Sequence, residues 1–166
     1  MKLILTHSNT DFDALASLMG AWLLDESALA ILPHRMNRNV CAFLNLYGAE
    51  LPFIERRDLP VEPVESVTLV DTQSMVSIRG VGSDTPVHVI DHHTHRGNLP
   101  EHWVVSTEET GAVTTLLVEA LRDQNEGLST LHATLLLLGI YEDTGSLTYT
   151  RTTPRDLQAA AFLLGE

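Results

Sequence analysis

Short apolar segments alternate along the chain with longer segments in which apolar residues recur at helical spacing. KLIL (2–5) is typical of a buried strand, and the next segment, 13–26, has the apolar spacing of one helical face at Leu15, Leu18, Met19, Trp22 and Leu23. The same criteria predict strands at ALAIL (28–32), LPFI (51–54), SVTLVDT (66–72), VHVID (87–91) and HWVVS (102–106). They predict helices at RMNRNVCAFLNLYGA (35–49), GAVTTLLVEALRDQN (111–125), STLHATLLLLGIYED (129–143) and RDLQAAAFLL (155–164).

This alternation predicts the fold class. Strands separated by helices are typical of an α/β protein, here a three-layer, Rossmann-like arrangement with a mainly parallel sheet and helices on both faces. The 166 residues are enough for one domain with a buried core. The last helical pattern continues to the end of the sequence, so we expect the chain to be a fragment of a longer protein or to have lost a tail.

Charge and cysteine content narrow the functional classes. The chain has 10 Lys and Arg against 22 Asp and Glu, a net charge of −12, which argues against a broad electrostatic grip on nucleic acid. A small phosphorylated ligand stays compatible with this charge, because metal ions can reverse the sign of a local field. No apolar run is long enough for a membrane span, and the single cysteine, Cys41, suits a reducing cytoplasm, so we expect a cytoplasmic protein without a membrane partner.

Acidic residues and histidines follow three apolar strands at the point where each strand ends. They are His7, Asp11 and Asp13 after KLIL, Asp71 after VTLV, and Asp91, His92 and His93 after VHVI. The carboxyl ends of parallel strands share one edge of the sheet, where ligands bind, so we expect these groups to converge. A fourth acidic position, Glu142 with Asp143, lies where an apolar helix ends.

Several converging carboxylates would repel one another, and a divalent cation removes this repulsion. Mixed carboxylate and imidazole ligands suit Mn²⁺, with Mg²⁺, Co²⁺, Fe²⁺ or Zn²⁺ as alternatives, and the absence of thiol ligands argues against a structural zinc site. The number of ligand groups is too large for one ion, so we expect two ions bridged by one carboxylate. Two ions about 3.5–4 Å apart form the common device for hydrolysing phosphoesters.

Each motif alone also has a structural interpretation. A DxD pair after a strand is typical of a helix N-cap with added surface charge, and Asp71 could cap a turn. Isolated histidines in strands, loops and helices are more often packed or exposed than metal-bound, and this applies to His34, His88, His95, His102 and His132. The ordered combination of four acidic motifs, rather than any one of them, favours a metal site.

That combination resembles the DHH phosphoesterase superfamily, which includes RecJ-like nucleases, oligoribonucleases, cyclic-dinucleotide phosphodiesterases and manganese-dependent inorganic pyrophosphatases. The family's first motif, His-x-Asn-x-Asp-x-Asp-Ala, is present as HSNTDFDA at 7–14, and its second is the strand-terminal Asp of LVDT. The third is DHH at 91–93, a Gly-Ala-small segment follows as GAVTT at 111–115, and the fourth acidic motif is YEDTGSLTY at 141–149. The resemblance covers essentially the whole chain in the right order.

The resemblance implies a role for each candidate residue. The implied metal ligands are His7 and Asp11 at one ion, Asp71 as the bridge, and Asp13, His92 and Asp143 at the other ion. His93 would face the phosphate or the attacking water as a hydrogen-bond donor, and Asp91 would orient a neighbouring histidine. Asn9 would support the first loop. A hydroxide held between the two ions would attack phosphorus.

Family enzymes normally have a second, C-terminal domain that binds substrate through a basic, Gly-rich motif, and this sequence has no counterpart of it. A narrower resemblance is to the N-terminal DHH module of bacterial polypeptides, where it precedes CBS domains and a tRNA nucleotidyltransferase/poly(A) polymerase region. GIYEDTGSLTYTRTTPRDLQAAAFLL is the segment most similar to those modules. The resemblance implies C-terminal domains in cis that are missing here, and the sequence leaves a homo-oligomer open.

Three functional hypotheses result. The leading one is a manganese-dependent phosphoesterase that hydrolyses a phosphodiester or phosphomonoester of a nucleotide or of short RNA or DNA. The second is hydrolysis of inorganic pyrophosphate. This hypothesis is weakened by the lack of basic residues that could bind so highly charged a molecule. The third hypothesis is a metal-containing module that senses a nucleotide for attached domains and has little turnover.

Overall fold

The computed structural model describes residues 1–94, 97–124 and 127–166, so His95 lies outside the described residues. The strands are β1 (Lys2–Leu5), β2 (Leu29–Leu32), β3 (Ile54–Glu55), β4 (Ser66–Val70), β5 (Val87–Asp91) and β6 (Val104–Thr107). The α-helices are α1 (Phe12–Leu24), α2 (Arg38–Tyr47), α3 (Val113–Gln124), α4 (Thr130–Thr144) and α5 (Pro154–Leu163). Two short 3₁₀-helices, Gly48–Glu50 and Arg56–Asp58, follow α2 and β3.

The described strands form one parallel sheet in the order β3-β2-β1-β4-β5-β6. β1 pairs with β4 over its whole length, from Lys2 opposite Ser66 to Leu5 opposite Leu69. The chain builds the sheet outwards from β1 to β3 on one side and then returns to place β4 on the other side of β1. Such a change of direction opens a crevice at the carboxyl ends of the central strands. The predicted α/β class with a parallel sheet is confirmed.

Two elements begin three residues later than the sequence pattern suggested. In the predicted strand 51–54 only Ile54 continues into β3, since Pro52 has no N–H to donate to a neighbouring strand. The helix predicted at 35–49 begins at Arg38, because Asn37 caps it by accepting a 2.8 Å hydrogen bond from the amide of Val40.

Alternate strand residues divide the core between the two faces of the sheet. On one face, Ile4 and Val70 pack with apolar residues of α1 and α3. On the other face, Leu5 and Leu69 belong to a cluster that contains no α-helix residue within the described chain. We expected helices on both faces. The connecting segments supply apolar side chains such as Ile78 instead, and these cover the second face.

Close packing holds α4 against α1. A Cβ atom at Gly139 of α4 would lie 2.5 Å from Cβ of Ala16 and 2.6 Å from Oγ1 of Thr114, so only glycine fits at this crossing. The contact brings the end of α4, where Asp143 lies, to the edge of the sheet at which α1 begins. Within the described residues, no helix combines the length and apolarity needed to cross a membrane.

Candidate metal centre

The loop between β1 and α1 places His7 and Asp11 at the carboxyl edge of the sheet. Asp11 is the N-cap of α1, and its Oδ1 accepts a 3.0 Å hydrogen bond from the amide of Ala14. Asn9 has a left-handed backbone with a φ of 69°, which asparagine tolerates better than most residues, and its amide donates to the carbonyl of Arg35 at 3.0 Å. The capping role proposed for the DxD pair is therefore real for Asp11, but it occupies only one of the two carboxylate oxygens.

Asp13 is completely buried in the first turn of α1 and faces the start of α3. Its Oδ2 accepts a hydrogen bond from the amide of Val113 and its Oδ1 from the amide of Thr114, both at 2.8 Å. These amides belong to the first turn of a helix, where unpaired N–H groups and the helix dipole favour an anion. The GAVTT segment is thus positioned directly by an acid of the first motif.

Asp71 follows β4 and lies at the centre of the cluster. Its φ is 55°, a left-handed conformation that is uncommon outside glycine and that occurs at functional sites. Oδ2 lies 3.1 Å from Nε2 of His7, whereas Oδ1 is buried and has no hydrogen-bond partner among the described residues. A buried oxygen without a donor is destabilising, and a cation at this place would compensate for the missing donor.

His92 presents one ring nitrogen to the same space. Its Nδ1 donates to the carbonyl of Thr110 at 3.0 Å, which leaves the lone pair of the neutral ring on Nε2. Nε2 is buried without a partner in the described residues and lies 3.6 Å from Oδ2 of Asp143 and 3.9 Å from Oδ1 of Asp71. A backbone carbonyl that fixes the tautomer in this way is a usual feature of metal-binding histidines.

His93 lies at the rim of the cluster, with 47% of its side chain exposed. Its Nδ1 donates to Oδ1 of Asp91 at 2.8 Å, and this hydrogen bond raises the pKa of His93. Asp91 is buried at the end of β5 and also accepts from Nε2 of Gln73 at 2.8 Å and from the amide of His92 at 2.9 Å. Asp91 therefore fixes the His93 ring. Gln73, which the sequence analysis did not identify, supports Asp91.

Three sets of possible ligand atoms lie in and directly beneath a cleft of about 380 Å³, which His7, Asp11, Asp71, His93 and Asp143 help to line. In each set, one atom from every residue lies within 4.8 Å of the others, and the sets are His7, Asp11 and Asp71; Asp71, His92 and His93; and Asp13, His92 and Asp143. The structure thus brings together all the residues predicted as metal ligands, and Asp71 and His92 each belong to two sets. The mixture of carboxylate oxygen and imidazole nitrogen, together with the two unpartnered atoms, fits divalent cations.

Burial and repulsion shift the protonation of the cluster. Burial raises the pKa of Asp143 to about 7, and the charges of Asp71 and Asp11 add to the shift. The pKa values of Asp13 and Asp71 are raised as well, chiefly by burial. The hydrogen bond to Asp71 raises the pKa of His7 to about 9. The cluster therefore retains protons that a cation would displace, because metal ligands bind in their deprotonated forms.

Glu142 has a positioning role that its place in the sequence did not reveal. Its carboxylate accepts a hydrogen bond from the amide of Phe12, at the first turn of α1, and another from Nδ2 of Asn37 at 3.3 Å. Glu142 therefore joins the end of α4 to the starts of α1 and α2. The adjacent Asp143 points to the metal cluster, so two neighbouring acids do different work.

Asp156 is a fully buried acid that was not predicted from the sequence. Both of its carboxylate oxygens accept from the amide of Gly111, Oδ2 at 2.9 Å and Oδ1 at 3.1 Å, and Oδ1 also accepts from the hydroxyl of Thr115 at 2.6 Å. The only signal in the sequence is the spacing of Thr153 and Asp156, which is typical of an ordinary capping box. Asp156 joins the start of α5 to the start of α3.

Comparison with known proteins identifies the family of this chain. The sequence model of the protein family described as DHH family, N-terminal domain, matches residues 2–140. The chain is 34% identical over 170 residues to the A-adding tRNA nucleotidyltransferase of Geobacter sulfurreducens, and 34% identical over 163 residues to that of Aquifex aeolicus. These alignments cover 99% and 98% of this chain but 19% of each relative, so the chain spans about a fifth of the length of these relatives.

A solved structure shows the same fold. The chain superposes with a TM-score of 0.78 on a proposed family II inorganic pyrophosphatase of Methanococcus jannaschii, at 22% sequence identity. The superposition covers 99% of this chain and 55% of that protein. At this level of identity the similarity concerns the arrangement of strands and helices.

Proposed function

Since the chain belongs to the DHH family, we propose that it is a metal-dependent phosphoesterase that holds two divalent ions and acts on a nucleotide or a short oligonucleotide. The observation that carries the proposal is a pair of buried, unpartnered atoms, Oδ1 of Asp71 and Nε2 of His92, which lie 3.9 Å apart. Buried polar side chains with a purely structural role normally have hydrogen-bond partners. Two unpartnered polar atoms buried this close together therefore favour a bound cation.

The ligand sets suggest how the ions would be held. One ion would be bound by His7 and Asp11 and the other by Asp13, His92 and Asp143, with Asp71 as the shared ligand. Mn²⁺ suits this mixture of ligands, with Mg²⁺ or Co²⁺ as alternatives. Bound ions of this kind polarise phosphoryl oxygens and lower the pKa of a water molecule.

The protein's own groups would position the phosphate. Nδ1 of His93 is bound to Asp91, so Nε2 is left for the substrate, and the raised pKa of His93 favours the protonated ring. A protonated His93 would donate a hydrogen bond to a phosphate oxygen on which negative charge develops. The carbonyl of Thr110 would keep Nε2 of His92 turned towards the ion.

A combined metal and turnover assay tests this proposal. With Mn²⁺, the protein is expected to bind about two ions per chain and to hydrolyse bis-p-nitrophenyl phosphate and the dinucleotide pApA. Asp71→Asn is expected to lose metal and to lower the rate by at least about 10²–10³-fold. Asp123→Asn makes the same chemical change at an exposed position of α3 and is the matched control. If metal-loaded wild-type protein were inert on every member of a phosphoester panel, the catalytic proposal would be wrong.

Pyrophosphate hydrolysis is a second candidate, because the fold is similar to that of a proposed inorganic pyrophosphatase. Among the described residues, however, no Lys or Arg lines the cleft, although pyrophosphate carries more negative charge than a phosphodiester. Pyrophosphate therefore belongs in the same substrate panel. Faster turnover of pyrophosphate than of pApA would favour this candidate.

A nucleotide-sensing module is a third candidate, because the chain spans only about a fifth of the length of relatives named as tRNA nucleotidyltransferases. Those relatives suggest that domains C-terminal to this one contribute in cis to substrate binding, and that RNA is a substrate to test. A longer chain with such domains would then have a lower KM for pApA than this chain. Tight nucleotide binding without turnover in both forms would favour the sensor.

A further inference from the structure

A second cleft, of about 560 Å³, adjoins the metal cluster and shares His93 with it. Three segments line it: the end of β5 at His93 and Thr94, the end of β6 at 107–110, and the turn 150–153 between α4 and α5. It therefore lies on the β5–β6 side of the cluster, at the same edge of the sheet. A substrate held at the cluster could extend past His93 into this space.

Three of the six threonines that line this cleft have an uncommitted hydroxyl group. The hydroxyls of Thr94, Thr107 and Thr150 have no hydrogen-bond partner among the described residues. The hydroxyls of Thr110, Thr152 and Thr153, by contrast, donate to the carbonyl of Ala112, the carbonyl of Thr144 and the carboxylate of Asp156. The cleft thus offers several uncommitted donors and acceptors to a polar ligand.

Some charged side chains of this cleft form ion pairs and others do not. Glu108 accepts a 2.7 Å hydrogen bond from Nη1 of Arg155, which also pairs with Glu119. Glu109 and Arg151 have no ion pair with any residue that the structure describes. The cleft therefore presents one free carboxylate and one free guanidinium. A carboxylate is the usual acceptor for the hydroxyls of a ribose, and a guanidinium fork matches a phosphate.

The turn that carries Arg151 is fixed on the side of α4. Gly145, Ser146 and Leu147 all have positive φ, at 55°, 58° and 66°, a costly conformation for the two non-glycine residues. The carbonyl of Thr144 accepts hydrogen bonds from the amides of both Thr148 and Tyr149 at 2.9 Å. These contacts reverse the chain directly after α4.

The turn is fixed on the side of α5 as well. The amide of Thr152 donates to the carbonyl of Tyr149 at 3.0 Å, and the amide of Thr153 donates to the buried Asp156 at 2.7 Å. Arg151 therefore projects from a braced turn. A guanidinium held on such a turn loses less conformational entropy on binding than one on a flexible loop.

We propose that the second cleft binds the leaving group of the phosphodiester, a ribonucleoside 5′-phosphate. The proposal rests on the phosphoesterase function proposed above. When the P–O3′ bond breaks, the upstream nucleotide departs with its 3′-oxygen, which takes up a proton, and keeps its 2′-hydroxyl and 5′-phosphate. Glu109 with the free threonine hydroxyls binds the two ribose hydroxyls, and Arg151 binds the 5′-phosphate.

Binding of 5′-AMP in the presence of EDTA tests the subsite without metal or turnover. Isothermal titration calorimetry should show that Arg151→Gln weakens AMP binding about tenfold and leaves adenosine binding unchanged. Glu109→Gln should reduce the preference for AMP over 2′-deoxy-AMP. Arg122→Gln removes an equal charge from an exposed position near the far end of α3 and should leave AMP binding unchanged. No AMP binding by the wild type, or equal losses for AMP and adenosine, would overturn the proposal.

Kinetics separate this proposal from the one on which it rests. If the wild type hydrolyses pApA, Arg151→Gln should raise the KM by about tenfold and change kcat less. AMP binding as expected in a protein that hydrolyses no phosphoester would support the subsite and contradict the phosphoesterase. Hydrolysis of pApA with an unchanged KM in Arg151→Gln would support the phosphoesterase and overturn the subsite.

Discussion

Two buried aspartates, Asp71 and Asp156, differ in what surrounds their charge. Asp71 is 4% exposed and Asp156 is fully buried. Asp156 accepts hydrogen bonds from the amide of Gly111 at 2.9 Å, from the hydroxyl of Thr115 at 2.6 Å, and from the amide and hydroxyl of Thr153 at 2.7 and 2.8 Å. Asp71 contacts the ring of His7 with one oxygen, and its other oxygen has no partner in the described structure.

The pKa values of the two acids shift in opposite directions for this reason. Burial opposes ionisation at both positions, but the hydrogen bonds from Thr115, Thr153 and Gly111 outweigh it and lower the pKa of Asp156. At Asp71 burial prevails, and the pKa is raised. Asp156, with donors on both oxygens and a lowered pKa, is part of the scaffold. A buried acid with an unpartnered oxygen and acidic neighbours indicates a ligand site.

The largest expected effect is a loss of stability in Asp156→Asn. The new amide group would face N–H and O–H donors, so we expect the free energy of unfolding to fall by about 3–5 kcal/mol. Urea unfolding of the metal-free protein measures this change. Asp71→Asn should lower the same quantity much less, because the variant loses the bond to His7 but also removes a charge that repels Asp11 and Asp143. Equal losses in the two variants would remove the distinction between them.

Added metal should stabilise the wild type, and this gain should depend on Asp71. An ion that binds only the folded state adds about 2.7 kcal/mol of stability at a concentration 100 times its Kd. We expect Mn²⁺ to raise the melting temperature of the wild type and of Asp123→Asn, and EDTA to abolish the increase. Asp71→Asn should show little or no increase. A wild-type melting temperature that responds to neither Mn²⁺ nor EDTA would count against the metal centre.

Asp91→Asn tests an acid that combines features of both aspartates. Asp91 is buried and hydrogen-bonded like Asp156, but it is adjacent to the metal cluster like Asp71. Loss of a partner that orients such a group typically lowers activity 10–100-fold, and we expect kcat for bis-p-nitrophenyl phosphate to fall by about this amount. The high-pH limb of the rate profile should also move to lower pH, because the carboxylate no longer raises the pKa of His93. Asp84→Asn, at an exposed position, is the control. A lower rate with an unmoved profile would indicate a structural role only.

A further expected effect is a dependence of metal-free stability on pH. The folded-state pKa of Asp143, about 7, lies above that of an unfolded aspartate, so its contribution is complete below about pH 4 and is lost as the pH rises through 7. His7, raised to about 9, contributes below about pH 6.5 and loses this contribution as the pH rises through 9. Stability in EDTA should therefore decrease between about pH 4 and pH 9.

Asp156 should have the opposite pH dependence. Its lowered pKa gives a contribution that is present above the pKa of an unfolded aspartate and is lost as the pH falls through the folded value. Unfolding in urea at several pH values measures both trends. Asp143→Asn should flatten the part between about pH 4 and pH 7. A wild-type curve that rises with pH in EDTA would contradict the protonated state assigned to the cluster.

The contrast between the two aspartates also explains what the sequence could predict. The acids at strand ends were identifiable because a parallel sheet collects the ends of its strands at one edge, whatever their separation in sequence. Asp156 was not, because its partner Gly111 is 45 positions away and no periodic pattern links them. The carbonyl of Thr110 was unpredictable for another reason, since a backbone group that fixes His92 leaves no trace in residue type.

The order and type of the helices and strands were predicted better than their end residues or the segments that cover each face of the sheet. Periodicity located the helices because each buries one face over several turns. It did not show that connecting segments cover the second face of the sheet, since apolar residues such as Ile78 lie in irregular chain without a repeating pattern. Nor did it reveal that Glu142 joins helices while Asp143 points to the metal cluster, because two neighbouring acidic residues look alike in a sequence.

The glycine at the crossing of α1 and α4 has a consequence for motion. Gly139 lets the helix that ends at Asp143 touch the helix that begins beside Asp11, with Ala16 at the contact. Helices packed this closely do not slide past each other by small steps, because each displacement produces a clash. We therefore expect the two acids to move as one rigid unit. Side-chain movement in response to a ligand is then expected on the other side of the cleft, at the exposed His93.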